Sequence, residues 1–286
     1  NGLELIFDST ELVNEEESRK IKEADCVVVC LGHDSQTEKE NFDRTFSLPQ
    51  GQEDYLRKVL ALNENVVVVL NAGGGIDMTS WLPDVKAVLM AWYPGQQGGL
   101  AVSEIITGKV SPSGRLPISI EKNFSDNPVS ESYYENVDRI RSKHINPYSR
   151  VEYREGLFVG YRGYDKNGVE PLFPFGFGLS YTTFEYSDIA VAKDADRYVL
   201  TFNVKNTGKV AGDEVVQVYM HDEIASVGRP LKEMVAFKRV TLNPGESKKV
   251  EIEVPYRSFH MWDMDMKFRV EEGWFNVWLG KNAEQV

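Results

Sequence analysis

An α/β half built on a mostly parallel sheet, followed by an all-β sandwich of immunoglobulin-like type, is the fold this sequence predicts. Three observations carry the prediction. Before about residue 110, short β-branched apolar runs alternate with amphipathic helical stretches, the pattern of parallel strands joined by helical crossovers. From Ser111 to Gly178, prolines and aromatics replace that alternation. Beyond it, short runs of alternating polarity are separated by turn signals at the spacing of a β-sandwich.

The elements follow in order. Residues 26–31 read as a strand, and 51–63 as a helix whose apolar face is Tyr55, Leu56, Val59, Leu60 and Leu62. Residues 66–70 form a buried strand that ends at Asn71 and the run Gly73-Gly74-Gly75. Another strand covers 85–91, with Tyr93-Pro94-Gly95 after it, and a helix covers 98–107 until Gly108 stops it. The glycine run lacks the spacing of a dinucleotide fingerprint, and no P-loop lysine follows it, so a tight turn is its expected use. In the irregular stretch, Tyr133, Tyr134, Tyr148, Tyr153, Tyr161 and Tyr164 are expected to pack a wrapping connection rather than stack on sugars. The last hundred residues predict strands over 198–206, 215–220, 234–239, 248–254 and 274–279. His221 and His260 are expected to be surface or packing residues there.

Composition narrows the classes. The 286 residues suffice for two domains, and 42% hydrophobic content supports sizeable cores. A formal charge of −12 argues against nucleic acid and anionic membranes as partners. No run of apolar residues is long enough to span a bilayer, and Asn1-Gly2-Leu3-Glu4 does not read as a signal peptide. Cys26 and Cys30, four apart on a strand, stand roughly 13 Å apart, too far for a disulfide, and are expected to be buried thiols. Secreted, periplasmic and cytoplasmic placements all stay open. The histidines and cysteines do not cluster as a zinc site, and no serine sits in a G-x-S-x-G elbow.

The segment Glu38-Lys39-Glu40-Asn41-Phe42-Asp43-Arg44, with Ser47-Leu48-Pro49 and Gln52, is chemically the richest. It sets carboxylates beside an arginine just after a strand, where open α/β sheets place their chemistry. A partly shielded carboxyl group beside an arginine can be tuned as an acid or a base.

Several segments, taken in order, resemble the C-terminal half of glycoside hydrolase family 3 enzymes, the β-glucosidase and β-xylosidase family. Glu40-Asn41-Phe42-Asp43-Arg44 with Leu48-Pro49 and Gln52 is similar to the family's acid/base loop and the helix after it. Tyr93-Pro94-Gly95-Gln96, Gly98-Gly99 and Ser111-Pro112-Ser113-Gly114-Arg115-Leu116-Pro117 resemble its sheet-domain signature, and Glu155-Gly156-Leu157-Phe158-Val159-Gly160-Tyr161-Arg162 its linker. The run from Pro171 to Thr182 resembles the lead-in to a fibronectin type III-like domain. Asn206-Thr207-Gly208, Gly212, Glu214-Val215 and Arg229-Pro230-Leu231-Lys232-Glu233 resemble that domain itself.

The resemblance implies an α/β sandwich domain with its linker over 1–177 and a fibronectin type III-like domain over 178–286. It implies a retaining, exo-acting β-glucosidase whose nucleophilic aspartate lies in a (β/α)₈ barrel absent from this sequence. The first strand of the sheet domain is also missing by this reading. Glu40, four residues before Arg44, matches the family's general acid/base, with Glu38 as runner-up. Asp43 and Arg44 are expected to fix the loop by an ion pair, and His33 and Asp34 to line outer sugar subsites. Asn41 stands where the family commonly has glycine. The implied partners are a β-linked glucoside or oligosaccharide and the barrel, as a domain or a separate chain; homo-oligomerisation is left open. The mechanism requires no cofactor or metal. A β-xylosidase of the same family and a non-catalytic carbohydrate-binding or scaffolding chain are the alternatives.

Overall fold

The computed structural model describes residues 4, 14–40, 44–134 and 152–286, whose backbone groups into two compact units, 1–102 and 103–286. In the first unit, helix α1 (Glu15–Glu23) precedes strand β1 (Val27–Gly32). Helix α2 (Gln52–Leu60) then leads to strand β2 (Val66–Asn71) and strand β3 (Ala87–Met90). The strands form a parallel sheet in the order β1-β2-β3, with Val28 beside Val67 and Val68 beside Val88. Helix α3 (Gly98–Ile106) follows. The α/β class read from the sequence is therefore present.

Burial follows position in the sheet. Val66, Val68, Val69 and Leu70 of the central strand are buried, as are Leu56 and Val59 on the inner face of α2. Strand β1 buries only alternate residues, Val29 and Leu31. Cys26 and Cys30 are both exposed, with Val28 between them at 41%. The expectation of buried thiols fails. A continuous apolar run implies two covered faces, but β1 is an edge strand among the described residues and no described element covers its second face.

Helix α1 escaped the sequence reading, although its signal is present. The Asn14 side chain accepts from the Glu17 N–H (2.9 Å), and the Glu17 carboxylate accepts from the Asn14 N–H (2.8 Å). This reciprocal capping box satisfies donors that an open helix start would leave unpaired.

In the second unit, the irregular stretch contains a short helix (Tyr161–Asn167) and an antiparallel bridge between Ile120 and Phe173. Tyr164 is buried, and Tyr161 stacks on Phe175 (centroids 4.9 Å apart), so both pack as expected. Tyr153 is exposed, and Tyr148 lies outside the described residues. Two antiparallel sheets follow. One has the order β4-β5-β8, from strands β4 (Phe184–Asp194), β5 (Arg197–Asn206) and β8 (Ser247–Pro255). The other has the order β11-β6-β7, from β6 (Gly212–Asp222), β7 (Glu233–Leu242) and β11 (Phe275–Gly280). Leu200, Phe202 and Val204 of one sheet and Val216, Val218 and Met220 of the other meet in a shared core. A small hairpin, β9 (Met261–Trp262) with β10 (Phe268–Arg269), completes the described strands. His221 stacks on Trp278 and His260 on Phe268, so both are packing residues.

The polar signature residues of this unit bind backbone and one another. The Asn206 amide donates to the Val210 and Leu242 carbonyls (2.9 and 3.1 Å) and accepts from the Gly208 N–H (3.0 Å). Arg115 pairs with buried Glu214 (3.4 Å), which also accepts from the Tyr186 hydroxyl (3.1 Å). Gly178 is required at its position, because a Cβ there would stand 2.2 Å from the Gly114 carbonyl oxygen.

Candidate active site

Parallel strands deliver their C-terminal ends to one side of a sheet, so the loops after β1, β2 and β3 converge. Two backbone devices hold the first of them. Gly32 has φ +143°, and a Cβ there would fall 1.9 Å from the Asn71 carbonyl oxygen, so only glycine fits. The Gln52 amide then pairs with both backbone groups of Gly32, accepting from its N–H (2.8 Å) and donating to its carbonyl (2.9 Å). In effect Gln52 replaces a neighbouring strand at the end of β1, which explains the glutamine three residues after Pro49.

Glu38 lies on that loop and reaches the other two. Its carboxylate accepts from the Tyr93 hydroxyl, after β3, at 2.7 Å. It accepts from the Gly73 N–H, after β2, at 3.1 Å. The Arg44 guanidinium stands 3.5 Å away, and it also donates to the Gly75 carbonyl at 2.7 Å. The expected turn role of the glycine run is thus incomplete. A Cβ on Gly73 would stand 2.4 Å from a Glu38 carboxylate oxygen, and one on Gly74 2.4 Å from an Arg44 guanidinium nitrogen. With no Cβ at either position, these two side chains lie directly against the backbone.

The electrostatics follow from these contacts. Burial alone pushes the Glu38 carboxyl up, but the hydrogen bonds from Tyr93 and Gly73 and the charge of Arg44 outweigh it. Glu38 is held below the ordinary glutamate range and is ionised at neutral pH. The Tyr93 phenol is pushed up to about 12 by desolvation and by the Glu38 carboxylate it serves. His33 is buried, 6% exposed, and its ring nitrogens have no hydrogen-bond partner among the described residues. Burial first and the Arg44 charge second push its imidazole down, so it is neutral at pH 7.

The other expected site residues fall in different places. Glu40 is exposed, two residues beyond Glu38, and makes no hydrogen bond or ion pair with a described residue. Asp34 is exposed and spends its carboxylate on its own turn, accepting from the Gln36 and Thr37 N–H groups (2.9 and 3.1 Å). Those bonds, with the Gln36 N–H first, hold it below the usual aspartate range. Arg44 fixes its loop through Glu38 and Gly75, while Asp43 lies outside the described residues. Sequence reasoning missed Tyr93 as a partner of this loop. The signal that could have found it is the convergence of strand-end loops in a parallel sheet.

Comparison with known proteins places this arrangement in a family. The model of the glycosyl hydrolase family 3 C-terminal domain matches residues 9–181. The chain belongs to glycosyl hydrolase family 3. A fibronectin type III-like domain model matches 214–283 of this family 3 chain. The chain is 41% identical over 282 residues to thermostable β-glucosidase B of Acetivibrio thermocellus, covering 96% of the chain and 36% of that protein. It is 39% identical over 268 residues to an exo-α-(1→6)-L-arabinopyranosidase of Bifidobacterium breve, covering 93% and 34%. The crystal structure of the Bifidobacterium adolescentis family 3 β-glucosidase superimposes with a TM-score of 0.85 at 36% identity, over 94% of the chain and 39% of that protein. The family 3 chain thus spans about a third of the length of the curated relatives it matches.

Proposed function

We propose that this chain is the C-terminal part of a retaining, exo-acting β-glucosidase and supplies its general acid/base, Glu40, to a barrel that carries the nucleophilic aspartate. The observation that carries the choice of residue is the engagement of Glu38. An acid that protonates a leaving alkoxide must hold its proton at working pH. Glu38 is kept ionised by Tyr93, Gly73 and Arg44. Glu40, on the same loop, stands outside those contacts. The β-glucosidase relatives support the substrate class, and two solved relatives are described as complexes with glucose. The matches over 9–181 and 214–283 support two domains in this order, with the border proposed at 177/178.

The chemistry runs in two steps. The barrel carboxylate attacks the anomeric carbon while the Glu40 carboxyl gives its proton to the departing oxygen. Glu40, now a carboxylate, takes a proton from water as the water oxygen bonds to the anomeric carbon and the bond from that carbon to the nucleophile breaks, freeing the sugar. In this reading Asp43 and Arg44 fix the loop, and His33 and Asp34 serve the outer subsites. A second reading, a different glycon such as a β-xyloside, is favoured by the similar identity to a relative named for arabinopyranoside cleavage.

The test is Glu40→Gln in the complete protein with an alkyl glucoside and with an activated aryl glucoside. Loss should reach on the order of 10²–10⁴-fold with the alkyl glucoside and be milder with the aryl one, and azide should restore turnover of the aryl substrate. Unchanged kcat on the alkyl glucoside would sink the assignment and favour a non-catalytic carbohydrate-binding or scaffolding role. The 286-residue chain alone should turn over neither substrate.

A further inference from the structure

One carboxylate joins all three strand-end loops of the parallel sheet. Glu38 follows β1, the Gly73 N–H that it accepts from follows β2, and the Tyr93 hydroxyl that it accepts from follows β3. Arg44 closes the ring by contacting Glu38 and donating to the Gly75 carbonyl. The backbone is cleared for this, since Cβ atoms on Gly73 and Gly74 would collide with Glu38 and Arg44. Beyond β3 the chain also bends to serve the ring. Trp92 has φ +55°, a region that a bulky residue rarely occupies, and its carbonyl accepts from the Asn71 amide at 3.1 Å.

A carboxylate that accepts two hydrogen bonds beside a guanidinium ties its own loop to the loops of its partners, because charge-assisted bonds are stronger than neutral ones. Glu40 is only two residues further along. We infer that Glu38 is a positioning residue and Tyr93 its partner, which together with Arg44 set where the Glu40 carboxyl stands for proton transfer. The inference rests on the reading of Glu40 as acid/base, and it gives the second glutamate of the loop a distinct role. Displacing a reacting group by about 1 Å costs on the order of 10²-fold in rate.

Three variants of the complete protein test it, assayed with an alkyl glucoside and an aryl glucoside. Glu38→Ala should lower kcat on the alkyl glucoside by on the order of 10²-fold, with KM within about threefold of wild type, and azide should not restore it. Glu38→Gln keeps an acceptor for both donors and should retain most of kcat. Tyr93→Phe should fall between the two, and it serves as the working variant if Glu38→Ala does not fold. Restoration of Glu38→Ala by azide would make Glu38 the acid/base itself and overturn the inference, as would wild-type kcat in Glu38→Ala. Hydrogen exchange gives a readout independent of turnover. Glu38→Ala and Tyr93→Phe should each speed exchange at the Gly73 amide and along residues 33–40 together. Unchanged exchange at Gly73 would refute the positioning role even if Glu40→Gln behaves as an acid/base variant. Faster exchange with an innocuous Glu40→Gln would instead remove the acid/base reading, and the inference about Glu40 with it.

Discussion

The Tyr93 hydroxyl stands 2.7 Å from a Glu38 carboxylate oxygen, joining the first and third strand-end loops of the parallel sheet. The sequence separates the two residues by 55 positions, and the sheet topology alone brings them together.

The lowered pKa of Glu38 gives this contact a pH signature. A group whose folded-state value lies below its unfolded one stabilises the fold above the ordinary carboxylate range, and the gain is lost as pH falls through the folded value. The stability difference between wild type and Glu38→Gln should therefore be constant from neutral pH down to about 5 and shrink below about 4. Its size at neutral pH should be about 1 kcal/mol, discounted because the carboxylate is 22% exposed. Urea unfolding of both proteins at several pH values measures it; a gap that widens toward acid would contradict the assigned contacts.

The glycine run gives the site its room. Gly73→Ala and Gly74→Ala should each push aside the end of a flexible side chain, Glu38 or Arg44, which a Cβ would meet at 2.4 Å, and so weaken its contacts at a cost of no more than about 1 kcal/mol. Gly99→Ala is the control, a helical glycine with nothing within 4 Å of the added atom. It should be neutral or stabilising by up to about 1 kcal/mol. Thermal melts of the three variants decide the matter.

The Arg115–Glu214 pair in the second unit should behave as a buried ion pair. Their side chains are 10% and 3% exposed. Arg115→Met should destabilise by about 3–5 kcal/mol, since among the described residues Glu214 keeps only the Tyr186 hydroxyl against desolvation. Adding Glu214→Gln to that variant should recover part of the loss. A double-mutant cycle with no coupling would refute this account.

The exposed thiols offer a chemical probe of the first unit. Cys26 and Cys30 should both react with a thiol reagent in the native 286-residue chain, without denaturant. Partial desolvation pushes the exposed Cys30 thiol up, so its reaction should accelerate through a higher pH than that of a free thiol. Protection of both would mean that the face of β1 is covered in solution.

Much of this was legible in the sequence because local pattern and tertiary need agreed. Strands β2 and β6 read as apolar or alternating runs, and helix α2 as an amphipathic one, because burial in the fold follows those periods. Strand β4 was not read, since beyond Phe184 most of its residues face solvent and carry no apolar alternation. The thiols were misread because a run of valines is the same whether one face or two are covered. At the site, the loop with Glu38, Glu40 and Arg44 stood out by its charge, and its likeness to a family motif singled out Glu40. The role of Tyr93 and the reason for Gly73 and Gly74 did not, because both depend on contacts across thirty or more residues of chain.

The Gln52–Gly32 pairing and the Glu38 ring have an evolutionary corollary. Three loops that share one anchor cannot drift independently. A change at Gly73 alters the space for Glu38, which alters the partner of Tyr93 and the seat of Arg44. Substitutions in these loops should therefore show strong epistasis, with compensating replacements arising in pairs across different strands. Diversification among family 3 chains would then fall to residues that hang from this frame rather than to the frame itself.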